Sequence, residues 1–110
     1  MSKLYHATFN DYVPSIMRNG LIPNFYQNWV FSDSYVYLGI DAYQCQSYLE
    51  ESDAPDEFFE NGIAILEIDT DMLDKTKLTV DENNLDGDTF QYEGIIIPAA
   101  ITVKSVVTAF

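Results

Sequence analysis

One cysteine, one histidine and one arginine stand among the 110 residues of this chain. The single cysteine, Cys45, excludes an intrachain disulfide and any cysteine-based metal cluster. Cations are scarce: 5 basic side chains face 18 acids, a formal net charge of −13. A field of that sign repels phosphate backbones and anionic lipids. Direct nucleic-acid binding and membrane-surface binding are therefore disfavoured, and approach to a basic partner is favoured. The same charge also serves plain solubility, which weighs as much as any steering role. No run approaches the roughly 20 apolar residues needed to span a bilayer, and "MSKLYHATF" lacks the apolar stretch of a signal peptide. No repeat, low-complexity tract or linker divides the sequence. The expectation is a soluble, cytoplasmic protein with no metal, built as one domain over residues 1–110.

What is present is a substantial apolar fraction, 47% of residues, enough for one packed core. Residues 3–8 read as a strand, with Leu4, His6 and Thr8 on one side and Tyr5 and Ala7 on the other. Asn10 and Asp11 offer N-cap chemistry for a helix over residues 11–19. Pro14 falls in its first turns, and Gly20 supplies the stop. "YVYLGI" (35–40) reads as a strand. Asp41 can cap the helix "AYQCQSYLEE" that follows, where Ala42, Cys45 and Leu49 share one side. "IAILEID" (63–69), "EGIII" (93–97) and "ITVKSVV" (101–107) read as further strands. One strand, two helices and then mostly strands imply an α+β fold with a largely antiparallel sheet.

Other segments read as connections. "GLIPNFYQNW" has the composition of an irregular, aromatic-rich link. Residues 50–60 carry six acids around Pro55 and read as a solvated loop. "DENNLDGDTF" (81–90) invites comparison with a calcium loop, but the sixth position is Asp86 rather than glycine. The twelfth is Tyr92 rather than a bidentate glutamate, so a charged surface turn accounts for it better.

Three stretches carry residues suited to one chemistry. "LYHATF…SIMRNGLIP" places His6 in a strand and closes the next helix with Gly-Leu. "VYLGIDAYQCQSYLE" places Tyr37 in a strand and Tyr48 eleven positions later on a helix. "QYEGIII" sets Glu93 at the mouth of an apolar strand, with Gln91 on the same side. In this order and spacing the chain resembles a minimal ADP-ribosyltransferase domain of the His-Tyr-Glu type, as in the poly(ADP-ribose) polymerase and diphtheria-toxin branch. It is also similar to the small ADP-ribosyltransferase-like proteins of bacteria and their phages. The resemblance runs from "YHAT" to the final strand.

The resemblance implies a small ADP-ribosyltransferase-like fold, a mainly antiparallel split sheet with two helices, and NAD as substrate. Cleavage of the nicotinamide–ribose bond passes through a transition state of oxocarbenium character. Tyr37 and Tyr48 would flank the nicotinamide, and backbone groups of Ala7, next to Thr8, would grip its carboxamide. His6 would hydrogen-bond a hydroxyl of the adenosine ribose. Glu93 would bind the nicotinamide ribose and stabilise the developing positive charge. Gln91 resembles the glutamine of the Gln-x-Glu motif in another transferase branch, where it orients the acceptor. The chain departs from the family in having Ala7 where glycine is usual and Cys45 where serine is common. The implied activity is NAD-dependent mono-ADP-ribosyl transfer to a macromolecular target, a protein with a basic surface, by a phage or bacterial effector. A second reading is a non-catalytic acidic binding protein on the same fold. A third is NAD hydrolysis or transfer to nucleic acid, the latter opposed by the charge.

Each residue alone has a plainer reading. A lone strand histidine is more often structural, and single tyrosines and glutamates are more often core or surface residues. Cys45 by itself is a small helix-packing residue.

Overall fold

The computed structural model describes residues 3–23, 35–51, 56–80 and 89–108, the side chains of Tyr48 and Phe58 excepted. Six strands form one antiparallel sheet: β1 (Lys3–Phe9), β2 (Tyr35–Gly39), β3 (Ile63–Asp69), β4 (Leu78–Val80), β5 (Thr89–Glu93) and β6 (Ile101–Val107). Their order across the sheet is β4-β5-β2-β1-β3-β6. The expected α+β architecture with an antiparallel sheet is what the chain adopts.

Strand alternation sorts the side chains into two layers. Leu4, Val36, Leu38, Leu66, Ile68 and Tyr92 pack on one side with Ile16 of α1 (Val13–Asn19). Phe9, Ile63 and Ile65 pack on the other with Tyr5 and Ala7, under Ala42 and Leu49 of α2 (Ala42–Glu50) and Phe59 of α3 (Asp56–Glu60). Strand β3 is thus covered on both sides, which explains its nearly unbroken apolar run. Each fully buried isoleucine or leucine contributes on the order of 1.5–3 kcal/mol.

The ladders are uneven. β1 pairs with β3 along its whole length, from Lys3↔Asp69 to Phe9↔Ile63, and β2 pairs with β5 from Tyr35↔Glu93 to Gly39↔Thr89. Between β1 and β2 the register is one pair, Tyr5↔Gly39. Among the described residues, two three-stranded halves, β4-β5-β2 and β1-β3-β6, thus share one registered pair.

Local chemistry explains most boundaries. Asp41 accepts from the Tyr43 N–H at 2.9 Å and so caps α2 as expected. Gly20 ends α1 at φ 87, its N–H bonded to the Ile16 carbonyl at 2.7 Å. A Cβ there would stand 2.3 Å from the Ile96 carbonyl oxygen, so only glycine fits.

Five expectations are corrected. Helix α1 begins at Val13 rather than at residue 11, after a 3₁₀ turn over Asn10–Tyr12. Asn10 and Asp11 do not cap it. Asn10 donates to the Asn61 carbonyl at 3.2 Å, and Asp11 accepts from the Asn61 amide at 3.0 Å. The strand expected over 93–97 ends where it was expected to begin. Glu93 closes β5, Gly94 turns the chain at φ 125, and Ile96 makes an isolated bridge to Leu21. Within the acidic segment, Asp56–Glu60 is a helical turn rather than loop, and the short β4 stands where no strand was expected. Residues 24–29 of the aromatic link, 52–55 of the acidic segment and 81–88 of the calcium-like turn lie outside the described residues.

Candidate functional site

The site builds outward from the single rung between β1 and β2. His6 shares its side of β1 with the core residue Leu4, and only 6% of it is exposed. Its Nδ1 lies 2.8 Å from the Tyr37 carbonyl, on the strand across the parting of the two halves. A carbonyl can only accept, so Nδ1 carries the proton and Nε2 is left as the acceptor nitrogen. Burial pushes the imidazole pKa below its ordinary value, and the bond to Tyr37 offsets part of that shift. The ring is therefore neutral at pH 7.

The side chain of Tyr37 lies on the opposite side of the sheet from His6, because its strand neighbours Val36 and Leu38 are the core residues. There it stands across from Gln91, and Tyr35 stands across from Glu93. The Tyr35 and Tyr37 rings are 6.5 Å apart and tilted by 48°. Directly opposed side chains sit about 5 Å apart at Cβ, so two phenols, a carboxamide and a carboxylate share one patch. Glu93 is exposed at the end of β5.

The remaining residues singled out from the sequence are spread around this centre. Ala7 is half-buried in the layer under α2, and Thr8 is buried on the His6 side of β1. Cys45, on α2, donates from Sγ to the Tyr5 carbonyl at 3.5 Å, and burial pushes its thiol up to about 11. The side chain of Tyr48, also on α2, lies outside the described residues.

The structure thus brings Tyr37, Gln91 and Glu93 onto one side of the β2–β5 pair and ties His6 to the Tyr37 backbone. It does not bring the His6 ring onto that side. Tyr35 belongs to the patch although sequence reading did not single it out. Its signal was the alternation of "YVYLG", which puts Tyr35 and Tyr37 on one side.

Among the described residues, no group of three or more His, Cys, Asp or Glu side chains could hold a metal ion. No described helix is long and apolar enough to cross a membrane. The arrangement defines a small α+β protein with an aromatic and carboxylate patch beside a two-part sheet. No protein-family model matches the chain, and no curated protein matches it in sequence.

Proposed function

We propose that the protein is an NAD-dependent mono-ADP-ribosyltransferase with an ADP-ribosyltransferase-like split-sheet fold, acting on a protein with a basic surface. The observation that carries this reading is the bond from His6 Nδ1 to the Tyr37 carbonyl, made where the two halves of the sheet part. It holds the buried, neutral imidazole on the side of the sheet away from the Tyr37 ring, so His6 acts on the patch through the Tyr37 backbone. It also fixes the backbone of the strand that carries Tyr37.

The chemistry fits the patch on that strand. The nicotinamide ring of NAD is a flat cation, which aromatic faces and a nearby carboxylate stabilise. When the C1′–N bond breaks, its electron pair leaves with nicotinamide, and positive charge moves onto the ribose. Glu93 supports that charge, and an acceptor nucleophile then bonds C1′ and releases its proton. Gln91, one strand away from Tyr37, is suited to orient the acceptor.

Nicotinamide release and transfer of adenine-labelled NAD to protein test the reading. Glu93→Gln is expected to lower both by about a hundredfold or more, and Tyr37→Ala is expected to weaken NAD binding. Transfer undiminished in both Glu93→Gln and His6→Ala would sink the proposal.

A second reading, a non-catalytic acidic binder of a basic partner, is favoured by one observation. Glu50, Glu51, Asp56, Glu57 and Glu60 are all exposed at the end of α2 and on α3. It requires salt-sensitive association that Glu93→Ala leaves unchanged.

A further inference from the structure

The chain has 5 cations against its 18 acids, and three of the five are already engaged. Lys3 Nζ lies 3.0 Å from Glu67 and Lys75 Nζ lies 3.5 Å from Asp71. Lys104 Nζ sits 4.7 Å from the centre of the Tyr5 ring. Among the described residues, no ion pair involves the other two, Arg18 and Lys77. Arg18 belongs to α1, outside the patch on β2 and β5.

Lys77 stands beside that patch. Strand β4 begins at Leu78, which pairs with Tyr92, so one further step along the antiparallel pair sets Lys77 beside Glu93. Thr79 pairs with Gln91, and Gln91 with Tyr37, so the same register carries β4 into the patch. Where the chain turns at Gly94, the Lys77 Nζ lies 3.9 Å from the position a Cβ would take. The exposed ammonium thus reaches the residue that follows Glu93. The acid of its own turn, Asp74, is held by Thr76 instead: its Oδ1 accepts from the Thr76 hydroxyl at 2.6 Å and from the Thr76 N–H at 3.0 Å.

We propose that Lys77 binds the diphosphate of NAD and so positions the dinucleotide over the patch. The inference rests on the transferase reading and gives that reading its anion-binding residue. A field of net −13 repels the diphosphate, so binding needs a local cation that its own acids have not neutralised. A lysine ammonium serves phosphate as a point charge. Connectivity sets the place. The C1′ served by Glu93 belongs to a ribose whose C5′ carries the first phosphate, so one sugar separates the two sites. Glu93 faces the end of the substrate that becomes cationic, and Lys77 lies toward the anionic middle. Carboxylate and ammonium then follow the charge order of the ligand.

The test compares nicotinamide release from NAD by the wild type, Lys77→Gln, Lys77→Arg and Lys3→Gln. Lys77→Gln is expected to raise KM about tenfold and to leave kcat within about twofold, since the diphosphate is bound alike in ground and transition states. Lys77→Arg should restore most of the affinity. Lys3→Gln makes the same change in net charge from a surface pair far from the patch, and its KM should stay within about twofold of the wild type. An unchanged KM in Lys77→Gln would overturn the proposal. So would an equal rise in Lys3→Gln, which would reduce the effect to net charge, or a fall in kcat alone, which would make Lys77 a partner of Glu93. Calorimetric binding of ADP-ribose, which has no bond to nicotinamide, reports separately on the transferase reading. Lys77-dependent binding without nicotinamide release by the wild type would sink the catalytic reading and leave the diphosphate site standing. Neither binding nor release would sink both.

Discussion

Burial keeps the His6 imidazole neutral, and this has a thermodynamic consequence at the level of one residue. Its folded pKa lies below the ordinary 6.5, so the unfolded chain takes up this proton first as pH falls. The stability associated with the neutral ring is fully present above pH 6.5 and is lost progressively as pH drops below it. Urea midpoints measured from pH 8 to pH 5 should decline on the acid side in the wild type. His6→Gln should flatten that slope while lowering stability throughout by roughly 1–3 kcal/mol. Parallel profiles would show that other groups carry the slope. Cys45 gives a second residue-scale test. With its pKa raised from 9.0 to about 11, the folded thiol at pH 8 holds about a hundredfold less thiolate than an ordinary one. A chromogenic disulfide reagent should therefore label it slowly until urea unfolds the chain. At this scale, legibility followed sequence distance. The cap by Asp41 was readable because its partner, Tyr43, is two residues away. The role of Asp11 was not, because Asn61 is 50 residues away and only the fold brings it near.

Elements with a consistent pattern were read with their full bounds. Strand β3 is a β-branched and apolar run ended by Asp69 before a 3₁₀ turn, and β6 follows the 3₁₀ turn that starts at Pro98. "EGIII" misled because Ile95, Ile96 and Ile97 do alternate exposed, buried, exposed, as a strand would. Gly94 turns the run out of β5, and its only described bridge is to Leu21. That bridge sits beside Gly20, which makes Gly20 the junction of α1 with the loop after β5. Gly20→Ala forces a side chain into φ 87 and toward the Ile96 carbonyl. The expected loss is more than about 2 kcal/mol, read from urea unfolding. A stability within experimental error of the wild type would show that the junction can shift at little cost.

On the scale of the whole molecule, charge is the dominant feature. Like-charge repulsion at net −13 opposes compaction and is screened over about 8 Å at physiological ionic strength. Raising sodium chloride from 10 to 150 mM, on the order of a threefold or greater fall in screening length, should raise the thermal midpoint by a few degrees. A flat or falling midpoint would mean that local pairs such as Lys3–Glu67, at 3.0 Å, outweigh the net field. The strand order and the meeting of the two halves were not legible in the sequence, because register between distant strands depends on the assembled core. That is why alternation could put Gln91 and Glu93 on one side, yet could not say that Tyr37 and Tyr35 face them. The lone Tyr5↔Gly39 rung has a further meaning on the proposed reading. On that reading, β1 beyond the rung would offer backbone groups to a ligand as an edge strand offers them to another strand. A primary carboxamide carries one acceptor and one N–H donor edge, the same pair that a strand residue offers. Nicotinamide would then enter as a one-residue guest strand, and the sheet itself would select for an amide at that position.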